Sequence, residues 1–210
     1  MIDPKLLNKS SVKELTNSHD LVLSRFRKIF RNLEKCSSEK DRFWRAAFEL
    51  TDFSEFRGVS LGYSVASQDG KGWASTLRLR VLRSAREVVS AGLQDPEFFE
   101  LLAIFEPGIG ADRVSDMIGT ILIGPLCAFT KRVCKTLSIK TKAFTIKGFT
   151  YQLPWIKGLA GGDRYIILVP NDILTDISIG LNRDTIAEMI AHNTALRNLS
   201  SHLVPGVGLE

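Results

Sequence analysis

The sequence predicts an α+β fold that is mostly helical, a multi-helix domain with a small β-sheet or hairpin in its C-terminal third. Three observations predict this class. Apolar residues recur at helical spacing through the first two thirds of the chain, turn-forming residues interrupt these runs, and apolar and polar residues alternate after Ser138. With 210 residues, 44% of them hydrophobic, the chain is long enough to bury a substantial core.

Residues 1–56 are predicted to form the N-terminal helices. Pro4–Glu34 indicates two helices, and the apolar residues of the second recur close to every 3.6 positions. A third helix is predicted over Glu39–Leu50, because Ser37 or Ser38 can cap it.

Residues 57–137 are predicted to be a helical core with a glycine-rich turn. Val59–Val65 is the only strand candidate in the irregular part that precedes this core. A long helix is predicted over Trp73–Ala91, and the proline at position 96 favours a short helix over Pro96–Phe105. One side of the long helix is apolar and consists of Leu77, Val81, Leu82, Ala85, Val88 and Val89.

The last helix of this core is predicted to begin at Asp112 and to run to about Leu137. A bend is expected at Gly124-Pro125, because proline has no amide hydrogen to donate within a helix.

Residues 138–203 are predicted to form a small β element and a C-terminal helix. Ala143–Leu153 alternates like a strand, Pro154–Gly162 indicates a loop, and Arg164–Val169 is a second strand that Pro170 ends. Thr185–Leu199 is the predicted helix. The tail at 204–210 is expected to be unstructured, as in a fragment of a longer protein, and the parts together are expected to form one compact domain.

Composition limits the classes of function. The formal charge of +5 permits an anionic partner such as DNA or RNA, although cationic and anionic residues are interleaved through most of the chain. Cys36, Cys127 and Cys134 are odd in number and widely spaced, so neither a disulfide framework nor a zinc site is predicted. Without a signal sequence or an apolar run of membrane-spanning length, a cytoplasmic protein with no membrane contact is expected.

The most informative segment for function is Phe105–Met117, where polar groups are dense between apolar runs. Asp112 and Asp116 lie four residues apart, so a helix places both carboxylates on one side. The structural interpretation is that Asp112 caps the helix and Asp116 pairs with an arginine. The functional interpretation is a ligand-binding turn made of Gly108, Gly110, Asp112, Arg113, Ser115 and Asp116.

A second candidate site is the basic cluster around the long predicted helix. Lys71 precedes this helix, and Arg78, Arg83 and Arg86 lie on it, so these four residues are candidate nucleic-acid contacts. The alternative interpretation is a solvated helix face with acidic partners. Gly70-Lys71-Gly72 lacks the spacing of a phosphate-binding loop, and no hydrolase or zinc motif is present, so no cofactor is predicted.

These motifs resemble those of uncharacterised bacterial proteins of the phage-defence type. The similarity lies in Gly70–Gly72, Ala91–Pro96, Glu106–Met117 and Ile167–Leu174, within a region of about Gly58–Leu199. The resemblance implies an N-terminal accessory region that a restriction-like nuclease domain follows. It therefore implies antiviral defence as the setting and a nuclease domain or subunit as a partner.

The predicted function is a non-catalytic recognition or assembly module of such a protein, with nucleic acid or a second copy of the chain as further partners. The rival hypothesis is a metal-dependent nuclease or phosphoryl-transfer enzyme in which Glu106, Asp112 and Asp116 hold Mg²⁺.

Overall fold

A computed structural model describes residues 1–53, 58–59, 74–90, 111–158 and 161–175, and its fold is α+β and mostly helical. The predicted fold class is thus confirmed. The α-helices are α1 Ser18–Glu34, α2 Arg42–Leu50, α3 Ser75–Ser90, α4 Ala111–Ile121 and α5 Ile123–Thr136. The strands are β1 Lys142–Ile146, β2 Phe149–Leu153, β3 Trp155–Lys157 and β4 Asp163–Tyr165.

The N-terminal segment differs from its prediction in two places. The first predicted helix is instead a pair of short 3-10 helices, Pro4–Lys9 and Lys13–Leu15. The third predicted helix begins only at Arg42. Its cap is Asp41, which accepts the Trp44 N–H at 2.8 Å, and not one of the predicted serines. An aspartate at this position caps a helix as well as a serine does, so the local sequence allowed either start.

Helix α3 confirms the prediction made from periodicity. All six residues of the predicted apolar side are buried, against α1 and α2. The helix extends from Ser75 to Ser90, within the predicted bounds.

The predicted bend in the next helix is a break. α4 ends at Ile121, and α5 leaves it at an angle of 76°. The ring of Pro125 would clash with the carbonyl of Ile121, four residues earlier, so one continuous helix is disfavoured at this point. Among the described residues no single helix is long and apolar enough to cross a membrane, although α4 and α5 together would meet the length and composition required.

The predicted strand Ala143–Leu153 is in fact a hairpin of β1 and β2. Lys147 and Gly148 connect the strands with φ angles of 49° and 82°, and Ile146 pairs with Phe149. Two successive positive φ angles are the signature of a type I′ turn, which suits the twist of a tight hairpin. The turn was missed because Lys-Gly is a weaker hairpin signal than Asn-Gly.

A second antiparallel pair, β3 with β4, corrects the predicted loop at Pro154–Gly162, since Trp155–Lys157 is a strand. The predicted strand Arg164–Val169 is a regular strand only as far as Tyr165, where its pairing with β3 ends. Beyond it, the Ile167 N–H donates to the Gly58 carbonyl at 2.8 Å, and the Leu168 N–H donates to Thr130 Oγ1 at 2.9 Å.

The N-terminus returns to the last described segment of the chain. Ile2 forms a β-bridge with Leu174, and the Asp3 N–H donates to the Ile173 carbonyl at 3.0 Å. The hydrophobic core holds residues from each of the three predicted parts of the chain. The predictions for residues 60–65, Pro96–Phe105, Thr185–Leu199 and the tail at 204–210 lie outside the described residues.

Candidate nucleic-acid interface

Ser115, one residue of the predicted ligand-binding turn, faces the core. It is 6% exposed, and its Oγ accepts a hydrogen bond from the Ile2 backbone N–H at 3.0 Å. The hydroxyl therefore satisfies a backbone group that is itself buried. This structural role has no local signal in the sequence, because the two residues are far apart along the chain.

The other residues of this turn are described in part. Arg113 and Asp116 are half-buried on α4, and both interact with other groups of the protein. The backbone of Asp112 lies in the first turn of α4. Glu106, Gly108 and Gly110 lie outside the described residues.

The Mg²⁺ hypothesis needs three acidic groups close together. Within the part of the chain that the structure describes, no group of three His, Cys, Asp or Glu side chains could hold a metal ion. Glu106 and the side chain of Asp112 are not in that part, so magnesium binding by the predicted carboxylates stays a prediction.

Two of the predicted nucleic-acid contacts on α3 are engaged with the segment before α2. Arg83 forms a two-pronged ion pair with Glu39, at 2.7 and 2.9 Å, and this hydrogen bonding lowers the pKa of the carboxyl. Arg86 Nη2 donates to the Ser37 carbonyl at 3.1 Å. Arg83 is exposed and has an acidic partner, as the alternative interpretation expects, whereas Arg86 is half-buried and its partner is a backbone carbonyl. Lys71 lies outside the described residues.

Arg78, the third predicted contact, lies against the C-terminal end of α2. Its guanidinium stacks on the Phe48 ring at 3.9 Å, donates to the Phe48 carbonyl and lies 3.5 Å from Thr51 Oγ1. The side chain is only 13% exposed, and burial lowers its pKa. Arg78 is therefore packed against the fold and is not part of an open arginine stripe.

Asp52, which follows α2, lies near Arg78 and near two further cations, Lys147 and Arg25. Arg78 Nη1 lies 3.8 Å from Asp52 Oδ1, and Lys147 Nζ donates to the Asp52 backbone carbonyl at 3.2 Å. Arg25 of α1 is half-buried and interacts electrostatically with the same carboxylate. Burial is the main cause of a lowered pKa for both Arg25 and Lys147. We call Arg25, Arg78 and Lys147 with Asp52 the Asp52 cluster.

The positive charge of the chain is concentrated in residues 117–162. These 46 residues contain no Asp or Glu and seven Lys or Arg. Because the whole chain carries +5, all remaining residues together carry −2. The charge is thus segregated by position and is not dispersed as the sequence analysis assumed. The seven cations are Lys131, Arg132, Lys135, Lys140, Lys142, Lys147 and Lys157.

Several of these lysines are exposed where α5 leads into the first hairpin. Lys131 and Lys135 lie one turn apart on α5, and Lys140 follows before β1. Among the described residues these three form no ion pair. They are the residues that we call the lysine surface.

Three of the other cations of the stretch lie beside acidic side chains, and the fourth, Lys147, donates to a backbone carbonyl. Arg132 pairs with Glu14 at 2.6 Å, and Lys142 pairs with Asp163 at 2.5 Å. Lys157 is the strand partner of Asp163, and both lysines lower the pKa of that carboxyl, the hydrogen bond from Lys142 most. The cations that form ion pairs are therefore different residues from the three that make up the lysine surface.

Two exposed apolar side chains, Leu137 and Ile139, lie between Lys135 and Lys140 in the sequence. Phe149, which is 67% exposed, lies at the turn end of β2, the opposite end of the hairpin from Lys142. Cations combined with exposed apolar groups suit contact with phosphates and with the faces of unpaired bases.

One protein-family model matches the whole described part of the chain. The family model for "Domain of unknown function (DUF8370)" matches residues 1–182. The chain belongs to the DUF8370 family. No curated protein and no solved structure matches it. The match includes every helix and strand that the structure of this DUF8370 chain describes, so these elements belong to the family's domain, whose function is unknown.

In this DUF8370 chain, Arg25, Lys147 and the lysine surface were not among the site residues predicted from the sequence. A count of acidic residues along the chain would have indicated the lysine surface, because 46 consecutive residues without Asp or Glu are unusual where 23 of 210 are acidic. No comparable signal marks the Asp52 cluster, whose members come from four separate segments.

Proposed function

We propose that this DUF8370 chain is a non-catalytic recognition module that contacts nucleic acid through the lysine surface, Lys131, Lys135 and Lys140. The observation that supports the proposal is the acid-free stretch, which presents these lysines without acidic partners among the described residues. A protein surface of this kind attracts a polyanion because, among the described residues, its three lysines have no carboxylate partner.

The expected binding mode is electrostatic and independent of base sequence. Each lysine that neutralises a phosphate releases counterions, so log K falls with log salt by about 0.9 per contact on duplex DNA and about 0.7 on a single strand. Three contacts predict a slope near −2 to −3. The exposed Leu137 and Ile139 between Lys135 and Lys140 favour a single strand, whose unpaired bases offer apolar faces.

We place this module in a prokaryotic defence-type protein, as the accessory of a restriction-like nuclease domain or subunit. This part of the proposal is supported by the resemblance of the sequence motifs. In that setting the module would deliver the nuclease to nucleic acid without itself breaking bonds.

The test is fluorescence anisotropy with labelled single-stranded DNA, duplex DNA and RNA at several salt concentrations. Substitution of alanine for Lys131, Lys135 and Lys140 together removes the lysine surface. The matched control replaces three exposed lysines elsewhere, Lys5, Lys9 and Lys28, and so changes the net charge equally.

The lysine-surface variant is expected to bind at least about tenfold more weakly and to lose about two to three units of salt slope, the share of its three phosphate contacts. The control variant is expected to bind nearly as the parent does. Equal losses in both variants would show a net-charge effect and reject the surface. Absence of binding together with concentration-dependent self-association would favour the assembly function instead.

A further inference from the structure

We infer that the Asp52 cluster is a binding site for a terminal phosphate group, the dianion of a phosphate monoester. The cluster is separate from the lysine surface, and the inference stands independently of the proposed function. The phosphate could belong to a small phosphorylated molecule or to the phosphorylated end of a nucleic acid, which offer the same chemical group.

The fold brings Arg78 and Lys147 into contact with Asp52, and Arg25 is close enough to interact electrostatically with the same carboxylate. Arg25 comes from α1, Arg78 from α3 and Lys147 from the turn between β1 and β2. Asp52 lies among them, next to the C-terminal end of α2, with the 3.8 Å and 3.2 Å contacts given above. Such convergence from distant segments is a consequence of the tertiary fold and not of a charged run in the sequence.

Among the described residues, the charges in the cluster do not balance. In that part of the chain three cations face one carboxylate, and the C-terminal end of α2 adds about half of a negative charge. An excess of roughly 1.5 positive charges remains, close to the charge of a phosphate monoester near neutral pH. Arg25 and Arg78 are partly buried, so water screens their charges poorly, and each of them lowers the pKa of Lys147 further. A bound dianion would remove this imbalance.

Arg25 has hydrogen-bonding capacity in reserve. Its guanidinium carries five N–H donors, and among the described residues it makes no hydrogen bond although it is half-buried. Arg78, in contrast, already donates to the Phe48 carbonyl. A half-buried, unused guanidinium fork fits two phosphate oxygens at once.

Lys147 adopts a backbone conformation that side-chain-bearing residues rarely adopt. Its φ of 49° belongs to the first turn position, where Asn or Gly would be the unstrained choice. Here the turn directs the ammonium group to the cluster, where it reaches the Asp52 carbonyl.

The cluster is open to solvent on the side of Asp52. The Asp52 side chain is 56% exposed, and Lys147 is exposed as a residue. A small anion can therefore reach the cations without unfolding of the surrounding helices.

The test is isothermal titration calorimetry on the full chain with inorganic phosphate and adenosine 5′-monophosphate, and with adenosine as the uncharged control. Arg25→Gln removes the unused fork, and Lys147→Asn removes the ammonium while keeping a residue that the turn accepts. The matched control is Arg27→Gln, which removes an exposed arginine from the same helix.

Phosphate is expected to bind in the millimolar range or tighter, and both cluster variants are expected to weaken binding by about tenfold or more. Arg27→Gln and the lysine-surface variant should bind as the parent does, which separates this site from the proposed function. No heat of binding at about 10 mM phosphate would overturn the inference. So would equal binding by Arg25→Gln and Arg27→Gln.

The source of the phosphate is distinguished with a short oligonucleotide that carries either a 5′-phosphate or a 5′-hydroxyl. Tighter binding of the phosphorylated form, lost in Arg25→Gln, would support a nucleic-acid end. Equal binding of both forms, with the nucleotide still bound, would support a small phosphorylated molecule.

Discussion

The backbone N–H of Ile2 donates a hydrogen bond to Ser115 Oγ at 3.0 Å, across 113 positions of the sequence. Ile2 is fully buried, and Ser115 is nearly so. The contact ties the N-terminal segment to α4 at a place where water cannot replace either partner. Ser115, which was predicted to bind a ligand, thus has a structural role as the acceptor of a buried hydrogen bond.

Ser115→Ala is expected to lower the free energy of unfolding by about 1–3 kcal/mol, because the buried Ile2 N–H loses its acceptor. Urea denaturation followed by circular dichroism measures the change. The control is Thr136→Ala, which removes an exposed hydroxyl bonded to the Arg132 carbonyl and should change stability by less than about 0.5 kcal/mol. Equal effects of the two substitutions would contradict the structural role of Ser115.

Gly58 and Gly148 form a matched pair for mutation. Both have a positive φ, 89° and 82°, but only Gly58 has neighbouring atoms where a Cβ would lie. A Cβ on Gly58 would lie 2.5 Å from the Tyr165 ring and 3.1 Å from the Tyr165 carbonyl, whereas a Cβ on Gly148 would meet nothing within 4 Å. Gly148→Ala is expected to destabilise by about 1–2 kcal/mol through backbone strain alone.

Gly58→Ala should destabilise by about 1–3 kcal/mol more than Gly148→Ala, because overcrowding adds to the same strain. Guanidinium denaturation of the two variants side by side measures the difference. If the two glycines tolerated alanine equally, the close packing of Gly58 against Tyr165 would be wrong.

Asp41 caps α2 and should contribute to stability in a pH-dependent way. Its carboxylate accepts the Trp44 N–H at 2.8 Å and the Ser37 N–H at 2.7 Å. These hydrogen bonds, of which the one from Trp44 has the largest effect, lower the pKa of Asp41 from 3.8 to about 2. A lowered folded-state pKa means that the contribution is present above pH 3.8 and is lost as pH falls toward about 2.

Asp41→Asn keeps a good cap but cannot titrate, so its melting temperature should fall less than that of the parent between pH 3.8 and 2. Asp41→Ala lacks the cap and should melt lower at pH 7 as well. Thermal unfolding across this pH range measures both effects. Parallel pH curves for the parent and Asp41→Asn would exclude the titration of Asp41 as a cause.

The three free cysteines are expected to differ in reactivity. Burial raises the pKa of the Cys127 thiol to about 12, while Cys36 is only half-buried and its pKa is raised less. Since the thiolate is the reactive form, a thiol reagent should label Cys36 first in the folded protein and Cys127 only after unfolding. Mass spectrometry of time points in buffer and in urea measures the order.

The same thiol predicts a loss of stability at alkaline pH. The raised folded-state pKa of Cys127 favours the folded protein fully below pH 9, and this contribution is lost as pH rises from 9 toward 12. Cys127→Ala should therefore be less sensitive to pH in this window than the parent, although a small cavity lowers its stability at pH 7. Identical alkaline sensitivity would show that other groups dominate.

The correct sequence predictions were those that depend on neighbouring residues. The apolar side of α3 follows from a spacing of 3.6 residues, and Pro125 disfavours a continuous helix at the α4–α5 break. The start of α2 was misplaced because several polar residues before it can each cap a helix. The first hairpin was predicted as one strand, since Lys147-Gly148 resembles strand sequence unless its φ angles are known.

By itself, the sequence determined the mostly helical fold class, the buried side of α3 and the acid-free stretch that concentrates positive charge. Only the tertiary structure decided which arginines are paired and which cations converge on Asp52. Helical periodicity is encoded within a few turns of chain. The contacts of Asp52, in contrast, join α2 to residues as far as 95 positions away, and such pairings depend on how complete elements pack.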